Sequence, residues 1–154
     1  MVDLMITEWE GIGRLLIALG LGLAIGAERT ARGGNVGLRT YGLIALGASV
    51  FVVASLLVSQ EYVDATNFDP LRVAAQIVVG VGFLGAGVIY TNATNVTRGL
   101  TTAAGMWVAA AIGMAAGFGL YTVAAATTIF VIFTFSTLQT IEYRYLKKIN
   151  KDNN

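Results

Sequence analysis

Five apolar segments follow one another along this chain and constrain its fold more than any other feature: Leu15–Ala27, Tyr41–Val58, Val73–Tyr90, Leu100–Leu120 and Tyr121–Leu138. The last four are near or above the roughly 17 to 20 residues needed to cross about 30 Å of hydrocarbon. The first has 13 uninterrupted apolar residues, and extending it back through Gly11–Arg14 gives an adequate span with one arginine near its end. A signal peptide fits poorly there. Asp3, Glu8 and Glu10 precede Arg14 without a basic residue, and no small-x-small cleavage site leads into a soluble domain. Only 12% of residues are charged, against roughly 25% in a soluble domain. The expected fold is all-α: one polytopic membrane bundle over residues 1–154 with about five helices. Their expected bounds are 11–28, 39–59, 71–90, 99–117 and 120–141, with a polar tail at 142–154.

Charge sorting orients the bundle. Arg29, Arg32 and Arg39 follow helix one, Glu61, Asp64 and Asp69 follow helix two, Arg98 stands alone after helix three, and Arg144, Lys147, Lys148 and Lys151 occupy the tail. Basic residues bias loops to the cytoplasmic side. The alternation places the N-terminus outside and the C-terminus inside a multi-pass bundle.

Cysteine and histidine are both absent. That removes disulfides, thiolate or imidazole metal sites, cysteine nucleophiles and histidine acid–base chemistry together. Without them no nucleophile–base pair can be assembled except from carboxylates in different loops, so no catalytic residues, no enzyme activity and no cofactor are expected. Ten Lys and Arg balance nine Asp and Glu, so charge gives no reason to expect nucleic acid as a partner.

The stretch Gly80-Val-Gly-Phe-Leu-Gly-Ala-Gly87 contains G-x-G-x-x-G, the spelling of a dinucleotide fingerprint. That motif needs a strand, a turn, a helix start and a ribose-binding acid about 20 residues on. Here it lies inside one apolar run, and Gly99–Gly105 supplies no acid. An open loop at membrane depth would also strand its backbone polar groups. A helical reading explains more. Gly82, Gly85 and Ala86 share one face, with Gly80 and Gly87 opposite. Small residues let membrane helices approach closely, so helix three is expected at the bundle's centre, between two neighbours. Unwinding of the helix at these glycines to hold a ligand is the alternative.

An internal repeat is suggested by Gly20-Leu-Gly-Leu-Ala-Ile-Gly26, whose Gly20, Gly22 and Gly26 echo helix three, and by Gly37-Leu-Arg-Thr40 against Gly99-Leu-Thr-Thr102. Both copies would run in the same direction through the membrane, as a parallel repeat.

Polar residues near the membrane offer two candidate places. Gln76, in the first turns of helix three, wants a partner on another helix, and Arg14 at the same outer level is a geometric match. On the inner side, Glu28 ends helix one, Arg39 and Thr40 begin helix two, and Arg98 precedes Thr101 and Thr102 of helix four. Two helix N-termini flanked by arginines suit an anion. The competing reading pairs Arg39 with Glu28 and leaves Arg98 to the inside-positive bias. Glu61, Asp64 and Asp69 match no calcium loop and read as an acidic outer loop. Asp69 before Pro70 is a natural helix cap.

The chain resembles the MgtC/SapB family of bacterial membrane proteins. The likeness rests on Arg14-Leu-Leu, Ile25-Gly-Ala-Glu-Arg29, Gly37-Leu-Arg-Thr40, Asp69-Pro-Leu-Arg-Val-Ala-Ala-Gln-Ile77, Gly82-Phe-Leu-Gly-Ala-Gly-Val-Ile89 and Arg98-Gly-Leu-Thr-Thr-Ala-Ala104 with Trp107. The matching polar positions are Arg14, Glu28, Arg39, Thr40, Asp69, Arg72, Gln76, Arg98 and Thr102. The resemblance implies a bacterial inner-membrane protein, homo-oligomeric with a dimer favoured, linked to magnesium, phosphate and ATP homeostasis and to virulence. It also implies that other membrane proteins such as ATP synthase are partners. Many members continue into a cytosolic C-terminal domain, which this chain, ending at Asn154, is expected to lack. Two functions follow as expectations: regulation by binding membrane proteins, or a small ion or anion transporter with Gln76, Arg39 and Arg98 beside helix three.

Overall fold

A computed structural model describes residues 6–61, 69–93, 95–138 and 141. Asp64 and the tail residues 142–154 lie outside them. Five helices are long and apolar enough to cross a membrane: α1 (Glu8–Ala31), α2 (Leu38–Glu61), α3 (Pro70–Val88), α4 (Leu100–Gly117) and α5 (Tyr121–Phe133). A π-helical turn at Thr134–Leu138 continues α5. The chain is a multi-pass, all-α membrane bundle.

Local chemistry sets the helix ends. At the start of α1, Thr7 Oγ1 accepts from the Glu10 backbone N–H while Glu10 Oε2 accepts from the Thr7 backbone N–H. This reciprocal cap starts the helix three residues before its expected beginning. At α3, Asp69 accepts from the Leu71 N–H at 2.9 Å, and Pro70 occupies the first helical position, where its missing N–H costs nothing. α4 stops because Gly119 adopts φ +80°. The N–H groups of Gly119 and Leu120 then turn back onto the carbonyls of Ala116 and Ala115, a closure that a left-handed glycine permits. Between α3 and α4 the chain forms a short hairpin, β1 (Tyr90–Thr91) antiparallel to β2 (Thr97–Arg98), with Asn95 at positive φ. The apolar pattern gave no sign of it.

The centre of the bundle differs from the sequence expectation. α2 and α4 are the most buried helices and α3 the least, with only Val81 and Gly85 buried along it. Glycine explains the reversal through where it sits, not how often it occurs. A Cβ on Gly113 would run into the Ala45 carbonyl, and one on Gly117 would come within 2.9 Å of Val52 and 3.1 Å of the Ser49 carbonyl. These two glycines let α4 lie directly on the α2 backbone. Gly22 does the same for α1, where a Cβ would sit 2.7 Å from the Tyr41 carbonyl, and Gly26 brings α1 against Leu38. In α3, an added Cβ would touch a neighbour only at Gly85, 3.5 Å from Ala103 of α4, while one on Gly80, Gly82 or Gly87 would meet nothing within 4 Å, and neither would one on Gly20 of α1. Helix three is therefore an outer helix of this chain, and it runs unbroken from Pro70 to Val88.

The repeat is carried unevenly into the packing. Gly37 and Gly99 correspond in place: each precedes a helix and stands where a Cβ would strike the end of the previous one, Thr30 or Val88. Gly22 and Gly26 do not share surroundings with Gly82 and Ala86, since the first pair is buried against α2 and the second pair is exposed.

On the expected outer side Arg14 donates to the Gly117 carbonyl at 2.9 Å, with its Nε buried and, among the described residues, without a partner. The expected Arg14–Gln76 pair does not form, because α1 and α3 each pack on α2 and α4 and not on one another. The guanidinium instead meets the negative end of the α4 dipole and one of its orphan carbonyls. Arg14→Leu removes this charged bond from a partly buried site and should lower bundle stability by about 1.5–3 kcal/mol. Denaturation of the detergent-solubilised protein by sodium dodecyl sulfate titration measures that loss.

Candidate functional site

The residues expected to form one inner-side site do not come together: some fall in two separate places, and others in neither. The first is a cluster at the expected inner ends of α1, α2, α4 and the π turn. Glu28, with its side chain 10% exposed, accepts from Arg32 Nε at 2.8 Å and from Ser136 Oγ at 3.2 Å through one oxygen. Its other oxygen is buried without a partner among the described residues. Arg29 lies over the Phe135 ring, 4.6 Å from the centroid, an arrangement in which the ring's negative face attracts the cation. Tyr41 is fully buried, and its hydroxyl points to the Thr102 carbonyl at 3.5 Å. The π turn brings this about. Its wider winding turns Phe135 inward, where it is 8% exposed, and carries Ser136 to Glu28. Such local bulges in helices recur at functional positions.

The second place is an open groove of about 770 Å³ between α2 and α3, floored by Met106 and Ala110 of α4. Arg39 and Thr40 stand at its expected inner end, Val73 and Gln76 toward its other end, and Gly47 of α2 and Gly80 of α3 line its two walls. Arg39 is exposed and, among the described residues, makes no hydrogen bond or ion pair. The Arg39–Glu28 pair therefore does not form, since Glu28 is held by Arg32, four residues on along the same helix. Arg98 and Thr101 belong to neither place. Arg98 lies exposed in β2, and Thr101 is exposed in the first turn of α4. Arg72 is exposed beside the Asp69 cap. Among the described residues no three carboxylates gather.

Sequence reasoning missed Arg29, Tyr41, Phe135 and Ser136 as members of the inner cluster. Tyr41 and Phe135 read as ordinary apolar span residues. Nothing in the sequence around Thr134 signals a change from α to π winding.

Residues 15–144 match the model of the MgtC family. The chain belongs to the MgtC family. Among its relatives, "Putative magnesium transporter YhiD" of Escherichia coli strain K12 is 40% identical over 141 residues, covering 90% of this chain and 65% of that protein. Protein MgtC of Brucella abortus strain 2308 is 46% identical over 132 residues, covering 83% of this chain and 52% of its own. Protein MgtC of Salmonella typhimurium strain 14028s is 48% identical over 118 residues, covering 77% and 48%. This MgtC-family chain thus spans about half to two thirds of the length of the curated relatives it matches. No solved structure matches it.

Proposed function

We propose that this MgtC-family chain is a non-enzymatic protein of the bacterial inner membrane. It acts in magnesium, phosphate and ATP homeostasis by binding a second copy of itself or another membrane protein, ATP synthase being one such partner. One observation carries the reading: the outward face of α3 presents Gly82 and Ala86 one turn apart, both exposed, with nothing within 4 Å of a Cβ on Gly82. Phe83 and Val79 flank them at 81% and 69% exposure. Lipid gives no hydrophobic drive for helix association, so close backbone approach over small residues is the means that remains. The seam is open on this chain and suits a helix from outside it.

The name given to YhiD favours a second reading, transport, with Arg39 and Gln76 along the ion's path. The groove opposes it. Among the described residues its only polar side chains are Arg39, Thr40 and Gln76, whereas a magnesium or calcium ion leaving water needs several oxygen ligands and pays heavily for burial without them.

The absence of cysteine makes a clean test available. Ala86→Cys, oxidised in native membranes, should form a disulfide-linked adduct across the seam. Adding Gly82→Leu should cut that adduct about fivefold or more, as expected when a close helix crossing is overpacked by about 1–3 kcal/mol. No adduct from Ala86→Cys, or one indifferent to Gly82→Leu, defeats the binding reading. Flux of magnesium or phosphate into liposomes that Arg39→Ala abolishes would establish transport instead.

A further inference from the structure

The α2–α3 groove lies on the other side of α3 from the Gly82–Ala86 seam, so its occupant is a separate question. Its walls are apolar: Leu43, Ile44 and Phe51 from α2, Ile77 and Leu84 from α3. From Arg39 to Phe51 the α2 wall runs roughly 18 Å at the α-helical rise, a little more than one leaflet of about 15 Å, half the hydrocarbon core. Charge is confined to the inner mouth, and Gln76 is the polar side chain lining the groove toward its other end. Arg39 is exposed there and makes no bond or ion pair among the described residues, and Thr40 adds a hydroxyl. The Leu38 N–H is taken by Thr30 Oγ1 at 3.1 Å, while the N–H groups of Arg39 and Thr40 meet no acceptor among the described residues. Among the described residues, an uncommitted cation, a hydroxyl and two open helix N-terminal donors thus belong to the two residues that line the end of an apolar channel one leaflet long.

We propose that this groove holds one anionic phospholipid of the cytoplasmic leaflet. Its phosphate sits on Arg39, Thr40 and the α2 N-terminus, and an acyl chain lies along the channel between Gly47 and Gly80. Charge complementarity selects the occupant. Basic pockets between membrane helices on the cytoplasmic side recognise acidic headgroups, and a helix N-terminus favours an anion. A protein helix would fill the apolar channel but leave Arg39 unanswered. The two glycines make room for the chain, since a Cβ at either would meet nothing within 4 Å.

The experiment is native mass spectrometry of the purified full chain, with phosphatidylglycerol and phosphatidylethanolamine of matched acyl chains supplied in equal amounts. The wild type should retain one phosphatidylglycerol with a roughly fivefold preference, the factor that about 1 kcal/mol from one arginine near an acidic headgroup provides. Arg39→Gln should still retain a lipid but lose the preference. Gly47→Leu and Gly80→Leu, each placed in open space and therefore compatible with the fold, should lose the retained lipid of either kind. Gly20→Leu, on α1 and likewise in open space, should retain phosphatidylglycerol as the wild type does. Unchanged thermal unfolding of each variant confirms that the bundle persists. Equal retention of the two lipids by the wild type, an undiminished preference in Arg39→Gln, or undiminished lipid in both groove-filling variants overturns the proposal. So does a groove-filling variant that turns a dimer into monomer while keeping its lipid, because the groove would then be a protein interface. The seam test on Ala86→Cys reads a different face, and either result stands if the other fails.

Discussion

Gly113→Ala, a single added methyl group, is expected to cost the bundle about 3 kcal/mol or more. The new Cβ would be driven into the Ala45 carbonyl and close against the Ala45 backbone, with no flexible side chain able to move aside. Relief requires α4 to move off α2, the contact on which the rest of the bundle is arranged. The same substitution at Gly80 meets open space. It should be neutral or slightly stabilising, because alanine is the better helix former by up to about 1 kcal/mol. Parallel dodecyl sulfate titrations of the two variants, read by circular dichroism, should separate them widely. Equal stabilities would mean that α2 and α4 do not pack backbone to backbone.

Tyr41→Ala should be the second severe loss, at about 3–5 kcal/mol. Tyr41 is fully buried, and its ring fills the space between α1, α4 and the π turn. A Cβ on Gly105 would lie 2.6 Å from its hydroxyl and 2.8 Å from Phe135, so no neighbour has slack with which to close the hole. In lipid the transfer of apolar area contributes little to packing between helices, and the loss is mainly of dispersion contacts around a cavity. Tyr41→Phe keeps the ring. It should cost less than about 1 kcal/mol, because the hydroxyl reaches the Thr102 carbonyl only at 3.5 Å, the outer limit of a hydrogen bond. A Phe variant as unstable as the Ala variant would move the weight from packing to that bond. The stake reaches beyond stability, since displacing Tyr41 frees Phe135 and with it the cation–ring contact to Arg29.

The two places where predicted site residues landed are organised by opposite means. The inner cluster is closed: Glu28 is shared between Arg32 and Ser136, and the π turn seals it. The groove is open, and its Arg39 is uncommitted among the described residues. Buried carboxylate–arginine arrangements hold geometry at some cost in desolvation. Uncommitted arginines at a membrane boundary are placed to meet something from outside. That difference directs the search for a ligand to the groove and the search for structural failure to the cluster.

Composition and spacing determined much of this protein by themselves. Apolar lengths near that of the hydrocarbon core dictated five spanning helices, because a backbone in lipid must satisfy its own polar groups. Asp69 before Pro70 marked where α3 begins for an equally local reason, a side chain and a ring acting within one turn. The letters could not say which glycines would meet another helix. Gly82 and Gly113 look alike in sequence, each a small residue in an apolar run, yet one faces open space and the other lies against the Ala45 carbonyl. Helix–helix packing depends on rotation and crossing between segments far apart in the chain. Those are set by the sum of all contacts and by no single motif, so the central pair α2–α4, the outer place of α3, the division of Glu28 from Arg39 and the groove itself were decided by tertiary structure alone.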